Sequence, residues 1–316
     1  PGGVAVGVAS ARVAREAAER RGPRRRVSLL EREAVLAYLL MAPGALLLVL
    51  FMGYPFFLGI YLSLTDKLVG FSDFSYIGLE NYRWLWGDTI FRQAVTNTFI
   101  YGFVTVPFKL LLGLSLALLL NEHFRFSRFA RAGLLLPWIV PTAISSLAWL
   151  MLFDGVLSPI SWQLRDLGLI DRNLNFLGDA ANARASLCLA NIWRGIPFFA
   201  VSILAGLQAV PSELHEAAAL DGATAWQRFF SVTLPVIRNI VLISTLFSII
   251  WTFADFQLIY VLTKGGPANL THVFGTYAYQ SMGVGDIAQA AAISLYMFPL
   301  LAIFAVILLR FVRRED

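Results

Sequence analysis

Long apolar stretches separated by shorter polar ones run through the chain. They lie at roughly 35–64, 94–120, 132–153, 187–210, 238–262 and 288–311. Each is continuous rather than alternating, which excludes the strands of a membrane barrel. Each holds about 20 residues or more, enough for a helix rising ~1.5 Å per residue to cross a ~30 Å hydrocarbon core. The pattern predicts an all-α membrane protein with six transmembrane helices. Pro43, Pro55, Pro107, Pro137, Pro141, Pro197 and Pro299 fall inside these runs. Prolines are tolerated there when neighbouring helices satisfy the freed carbonyls.

Composition agrees with this pattern. Of 316 residues, 58% are hydrophobic and 14% charged, against about 45–50% and about 25% in soluble domains. A disordered chain, a collagen and a basic, polar nucleic-acid binder are excluded. The single cysteine, Cys188, excludes a disulfide scaffold and a cysteine-based metal site. His123, His215 and His272 form no local ligand motif, so no metal site is expected. The net charge of +5 does not point to nucleic acid, because the arginines sit at the ends of the apolar runs.

Those ends set the orientation. Residues 1–33 carry eight arginines, and with the 121–131 loop, the 211–237 loop with Arg238 at its edge, and the C-terminus they bring one side to sixteen Lys and Arg. The other side has seven. The positive-inside bias predicts that both termini are cytoplasmic. Residues 1–33 read as an Arg-rich cytoplasmic tail rather than a signal peptide, because the apolar run that follows exceeds a ~7–15-residue signal core. Residues 34–316 read as the six-span domain.

The loop after the fourth run, 211–237, reads as a short helix, a glycine turn and a second short helix. Ser212 can cap the first helix and Glu213 suits its positive end. Ala217, Ala218 and Ala219 give it a thin face. Gly222 permits the turn, and Pro235 is expected to end the second helix. Trp226, Phe229 and Phe230 make an apolar face. Such a segment suits either the membrane surface or a groove in another protein.

The spacing Glu216-Ala217-Ala218, Gly222, Val232, Leu234-Pro235 resembles the EAA loop of binding-protein-dependent ABC importer permeases, with Val232 where Ile is more usual. Asp221-Gly222-Ala223 is also typical. Gly265-Gly266-Pro267, Asn81-Tyr82, and Leu136-Pro137 with Pro141 and Trp149 resemble the carbohydrate branch, that of the larger maltose-type and glycerol-phosphate-type permeases. The resemblance covers roughly residues 35–312 and places the chain in a bacterial or archaeal inner membrane. It implies several partners: a second homologous permease, two copies of an ATP-binding subunit, and an extracytoplasmic solute-binding protein. Glu216, Ala217, Ala218, Asp221, Gly222 and Trp226 would form the ATPase dock, with Trp226 and Phe230 also packing the loop onto its own bundle. No G-x-x-x-x-G-K-[ST] loop occurs. No catalytic residues or cofactors are therefore expected in this chain, and ATP and Mg belong to the partner.

Intramembrane charges are costly and mark candidate function. Lys109, Arg194 and Asp255 lie in the second, fourth and fifth runs. Ser248, Thr252 and Asp255 are spaced for one helix face, with Trp251 beside it. Hydroxyls, a carboxylate and an indole suit a sugar's hydroxyls and apolar ring face. The resemblance implies that Ser248, Trp251, Thr252 and Asp255, with Gly195 and Phe198, contact the solute. Two bland alternatives stand beside this: an Asp255 ion pair with Arg194 or Lys109 that holds the bundle, and small polar contacts between helices. The reading is a permease importing a carbohydrate or polyol. Lys109 and Arg194 keep a sugar phosphate or glycerol phosphate open. An ion-coupled carrier and a membrane enzyme find no relay of acids, metal motif or catalytic cluster in support.

Overall fold

The computed structural model describes residues 33–122 and 125–313. The expected Arg-rich tail, apart from Glu33, lies outside the described residues, as does His123. The described residues fall into two units, one ending at Leu58 and the other beginning at Gly59. Among them the chain is almost wholly helical. Two isolated antiparallel bridges, Thr65 with Tyr76 and Leu68 with Asp286, supply its only extended pairings.

Among the described residues, five helices are long and apolar enough to cross a bilayer: Leu36–Ser63, Thr89–Asn121, Ala180–Gln208, Ala225–Phe253 and Ile287–Ile307. A sixth crossing exists only if Ser127–Ile139 and Thr142–Leu152 form one broken span, bent by 92°. The continuous third span expected over 132–153 is thus corrected. Pro141 has no N–H and drives the residue before it out of the α region; Val140 accordingly sits at φ −65°, ψ 127°.

The second and fourth helices start earlier than their apolar runs because acidic caps extend them into polar sequence. Asp88 accepts from the N–H groups of Ile90 and Phe91 at 3.2 and 3.0 Å. Asp179 accepts from those of Ala181 and Asn182 at 3.0 and 3.1 Å. Each cap satisfies donors that the first helical turn leaves open.

Pro235 does not end a helix. It lies in the first turn of Leu234–Phe253, which a π turn at Phe229–Thr233 joins to Ala225–Arg228. The wider turn relieves the clash a proline ring makes with the carbonyl four residues back. The same device, Val49–Gly53, precedes Pro55 in the first helix. The fifth helix stops at Phe253 rather than near residue 262. After Ala254–Phe256 the chain resumes as Gln257–Thr263.

The helices Thr89–Asn121 and Ala180–Gln208 make the most extensive pair, and Leu234–Phe253 packs on both. One apolar cluster, with Val106, Leu120, Phe199, Ile203 and Ile237, fills the half nearer residues 121 and 209. Two others fill the opposite half: one around Phe153, Leu187, Leu258 and Ile259, the other around Leu85, Phe91, Phe274 and Ile293.

Candidate functional site

Between these apolar halves lies a polar layer. Lys109, on Thr89–Asn121, is 4% exposed and donates from Nζ to Thr252 Oγ1 at 2.8 Å. Its aliphatic stem crosses Gly195, where any Cβ would collide with the lysine side chain. Only glycine leaves that path open. Arg194 pairs with Asp255 at 3.0 Å and also donates to Thr142 Oγ1 at 3.0 Å. Tyr101 Oη and Asn191 Nδ2 both donate to Asp255 Oδ2 at 2.9 Å.

Part of this layer borders a cavity of about 260 Å³. Lys109, Thr142, Asn191, Arg194, Ser248 and Thr252 are its polar lining, and Trp138, Phe198 and Trp251 its aromatic walls. Phe198 and Trp251 meet edge to face with centroids 4.9 Å apart, a favoured arrangement for aromatic rings.

The six candidate solute residues separate here. Gly195, Phe198, Ser248, Trp251 and Thr252 all line the cavity. Asp255 does not; it is 6% exposed, beyond the helix end, and its Oδ2 is taken by three donors. The ion-pair alternative describes the observed arrangement of Asp255, with Arg194 as the partner.

Tyr101, Thr142, Trp138 and Asn191 were not foreseen. Asn191 precedes Arg194 by three residues, a same-face spacing that marked it in advance. Trp138 and Thr142 reach the layer through the bend at Pro141, and Tyr101 carried no local signal.

The 211–237 loop is a tightly built unit. Ser212 is the first helical residue rather than the cap, which is Pro211, and makes no capping bond. The helix Ser212–Leu220 ends with Ala223 N–H donating to Ala218 O and Gly222 N–H to Ala219 O, both at 3.0 Å. This paired C-cap places its C′ residue in the left-handed region, and Gly222 has φ +78°. Thr224 and Gln227 then form a capping box for Ala225–Arg228. The dock residues Glu216, Ala217, Asp221, Gly222 and Trp226 are exposed, and Ala218 is half-buried. Leu220 is 90% and Trp226 73% exposed. Trp226 stacks on Phe230 at 6.0 Å and both face outward. The expectation that this pair packs the loop on its own bundle is therefore corrected. Ala225–Phe253 is one helical run, which carries Trp226 near one end and Ser248, Trp251 and Thr252 near the other.

The opposite end is cross-tied. Asn97 Nδ2 donates to Leu270 O and His272 O at 2.8 and 2.9 Å. Asn81 Nδ2 holds Ser63 O and Thr65 O at 2.9 and 2.7 Å. Thr271 N–H donates to Gly265 O at 3.0 Å. Tyr277 donates to Asp88, and burial with that carboxylate pushes its phenol well above the usual range. Burial pushes the His272 imidazole below its ordinary value.

A multi-pass membrane protein with an intramembrane polar cavity and an exposed two-helix loop is the class defined by this geometry. The sequence of binding-protein-dependent transport system inner membrane components matches residues 109–315, and the chain belongs to that family. It is 33% identical to the trehalose/maltose transport system permease protein MalF of Thermococcus litoralis, covering 88% of this chain and 94% of that one. It is 35% identical to the sulfoquinovosyl glycerol transport system permease protein SmoG of Agrobacterium fabrum, over 90% and 92%. In fold it is similar to a chain of a bacterial alginate ABC transporter crystallised with an alginate pentasaccharide-bound periplasmic protein. That likeness has a TM-score of 0.79 at 21% identity and covers 92% of this chain and 98% of that one. The resemblance read from the EAA spacing is borne out at the level of the family.

Proposed function

We propose that this chain is the membrane permease of an ATP-driven importer that moves a carbohydrate delivered by an extracytoplasmic binding protein. The observation that carries the carbohydrate reading is the cavity, where Ser248 and Thr252 stand beside Trp251 and Phe198. Hydroxyls bond a sugar's hydroxyls and aromatic faces stack on its apolar ring surface. The names of the two relatives support the same substrate class.

In this reading six spans cross the bilayer, the broken pair around Pro141 being the third, and both termini and the 211–237 loop are cytoplasmic. The helix Ser212–Leu220 enters a cleft of an ATPase subunit, with Glu216 bonding to polar groups there. Leu220 and Trp226 are covered by that partner. A second permease completes the pathway. ATP and Mg are held by the two ATPase subunits, and this chain performs no catalysis. Closure of the ATPases displaces the loop, and the run Ala225–Phe253 carries the movement to Ser248, Trp251 and Thr252. A π turn within that run accommodates Pro235 without breaking the rod.

The test is co-purification of the ATPase subunit and binding-protein-stimulated ATP hydrolysis in the reconstituted assembly, comparing wild type with Glu216→Lys. Wild type is expected to show both and the variant neither. A wild-type chain that never associates with an ATPase would sink the reading.

A further inference from the structure

The charges of the polar layer do not balance. Three ionisable groups of opposite sign meet there: Lys109, Arg194 and Asp255. The ion pair between Arg194 and Asp255 is the only one among the described residues. It leaves the ammonium of Lys109 with a hydroxyl, Thr252 Oγ1, as its one hydrogen-bond partner among the described residues. At 1.5 Å per residue, Lys109 lies roughly 30 Å from one end of its helix and roughly 18 Å from the other, farther than its four-carbon stem reaches. A buried charge is strongly unfavourable unless an opposite charge meets it. Thr252 stabilises the ammonium by one bond and supplies no charge.

The lysine is also held in place. Its stem lies across Gly195, where a larger residue would displace it, and the residue is part of the lining of the cavity. A second observation is independent of the charge. Asn191 is 2% exposed and lines the same cavity. Its Nδ2 is committed to Asp255, while its Oδ1 has no hydrogen-bond partner among the described residues. A buried acceptor without a donor is costly. Lys109 and Asn191 thus line one cavity together with Trp138, Phe198 and Trp251. A complementary solute has an anionic group, a hydroxyl donor and an apolar face.

We propose that Lys109 is the counter-charge for the transported solute, a sugar or polyol bearing one acidic group: a carboxylate, a phosphate or a sulfonate. The acidic group meets Lys109 Nζ, and a hydroxyl of the same solute donates to Asn191 Oδ1. Arg194 is not the anion's partner, because Asp255 already neutralises it. This inference rests on the importer reading and narrows its substrate class.

The experiment is ATP-driven uptake into vesicles that hold the complete assembly with its binding protein. Labelled probes share a skeleton and differ in the acidic group: glucose against glucuronate and glucose 6-phosphate, and glycerol against glycerol 3-phosphate. Wild type is expected to take up an acidic probe at least tenfold faster than its neutral counterpart. Lys109→Met, checked for assembly by co-purification of the ATPase subunit, is expected to lose that preference, and Lys109→Arg to keep it. The wild-type comparison decides by itself if Lys109→Met does not assemble. Equal or faster uptake of the neutral member, uptake of no acidic probe, or an unchanged preference in Lys109→Met overturns the inference. Uptake of a neutral sugar with binding-protein-stimulated hydrolysis does so while leaving the importer reading intact. Absence of both uptake and stimulated hydrolysis overturns the two together.

Discussion

At the end of the bundle carrying residues 64–88, 153–179 and 254–286, side chains bind loop backbone to helix. Asn97 takes two carbonyls, Asn81 two more, and Asp88 caps its own helix while receiving Tyr277. At the other end, the two short helices of the 211–237 loop are tied to each other through a glycine C-cap and a capping box. Its largest apolar side chains point away from the chain. At the first end polar loop backbone is satisfied from within, although Phe71, Trp86, Leu167 and Leu169 are exposed there as well. In the proposed importer the second end is half of an interface, ordered before its partner arrives. Pre-ordering lowers the entropy lost on binding, and a rigid loop transmits displacement where a slack one would absorb it.

Three substitutions probe that contrast. The largest effect is expected midway between the two ends. Asp255→Ala leaves Arg194 without its counter-ion and removes the acceptor for Tyr101 and Asn191. Breaking a buried pair from one side costs about 3–5 kcal/mol, to be read as a lowered unfolding midpoint of the purified protein in detergent. Asn97→Ala comes next. It strands the buried carbonyl of His272, at about 1–3 kcal/mol, and the part-buried one of Leu270, which water can reach at lower cost. A midpoint unchanged from wild type would show that the tied end is no stiffer than the free one. Trp226→Ala has the smallest effect on stability, below about 0.5 kcal/mol as for exposed positions generally. ATPase co-purification is nevertheless expected to fall by an order of magnitude. Loss of stability without loss of association would reverse the roles assigned to the two ends.

Motifs near these ends were legible to different depths. Asn81-Tyr82 and Gly265-Gly266-Pro267 were visible as family elements, but their work is structural: Asn81 and Thr271 anchor backbone in the tied end. The glycine turn of the 211–237 loop was readable, because a left-handed residue between two short helices is a local requirement. Its cap was misassigned to Ser212. Pro235 was misread as a stop, because a proline's effect depends on whether the turn around it can widen. Pro141 was noted but not its consequence. A proline in an apolar run bends a helix or breaks it according to what neighbouring helices offer the freed carbonyls.

By itself the sequence determined that this chain is a helical membrane protein, where most of its spans lie, and which loop has the spacing of a coupling element. These follow from side-chain polarity and local backbone preference, which act over one or a few helical turns. Only the tertiary structure decided who meets whom in the polar layer. Asp255 is 64 residues from Asn191 and 154 from Tyr101, and Lys109 is 143 from Thr252. Those pairings depend on the rotation of each helix about its axis and on the bend at Pro141, set by close contacts such as Lys109 over Gly195. The same contacts took Asp255 off the cavity lining and made it Arg194's counter-ion.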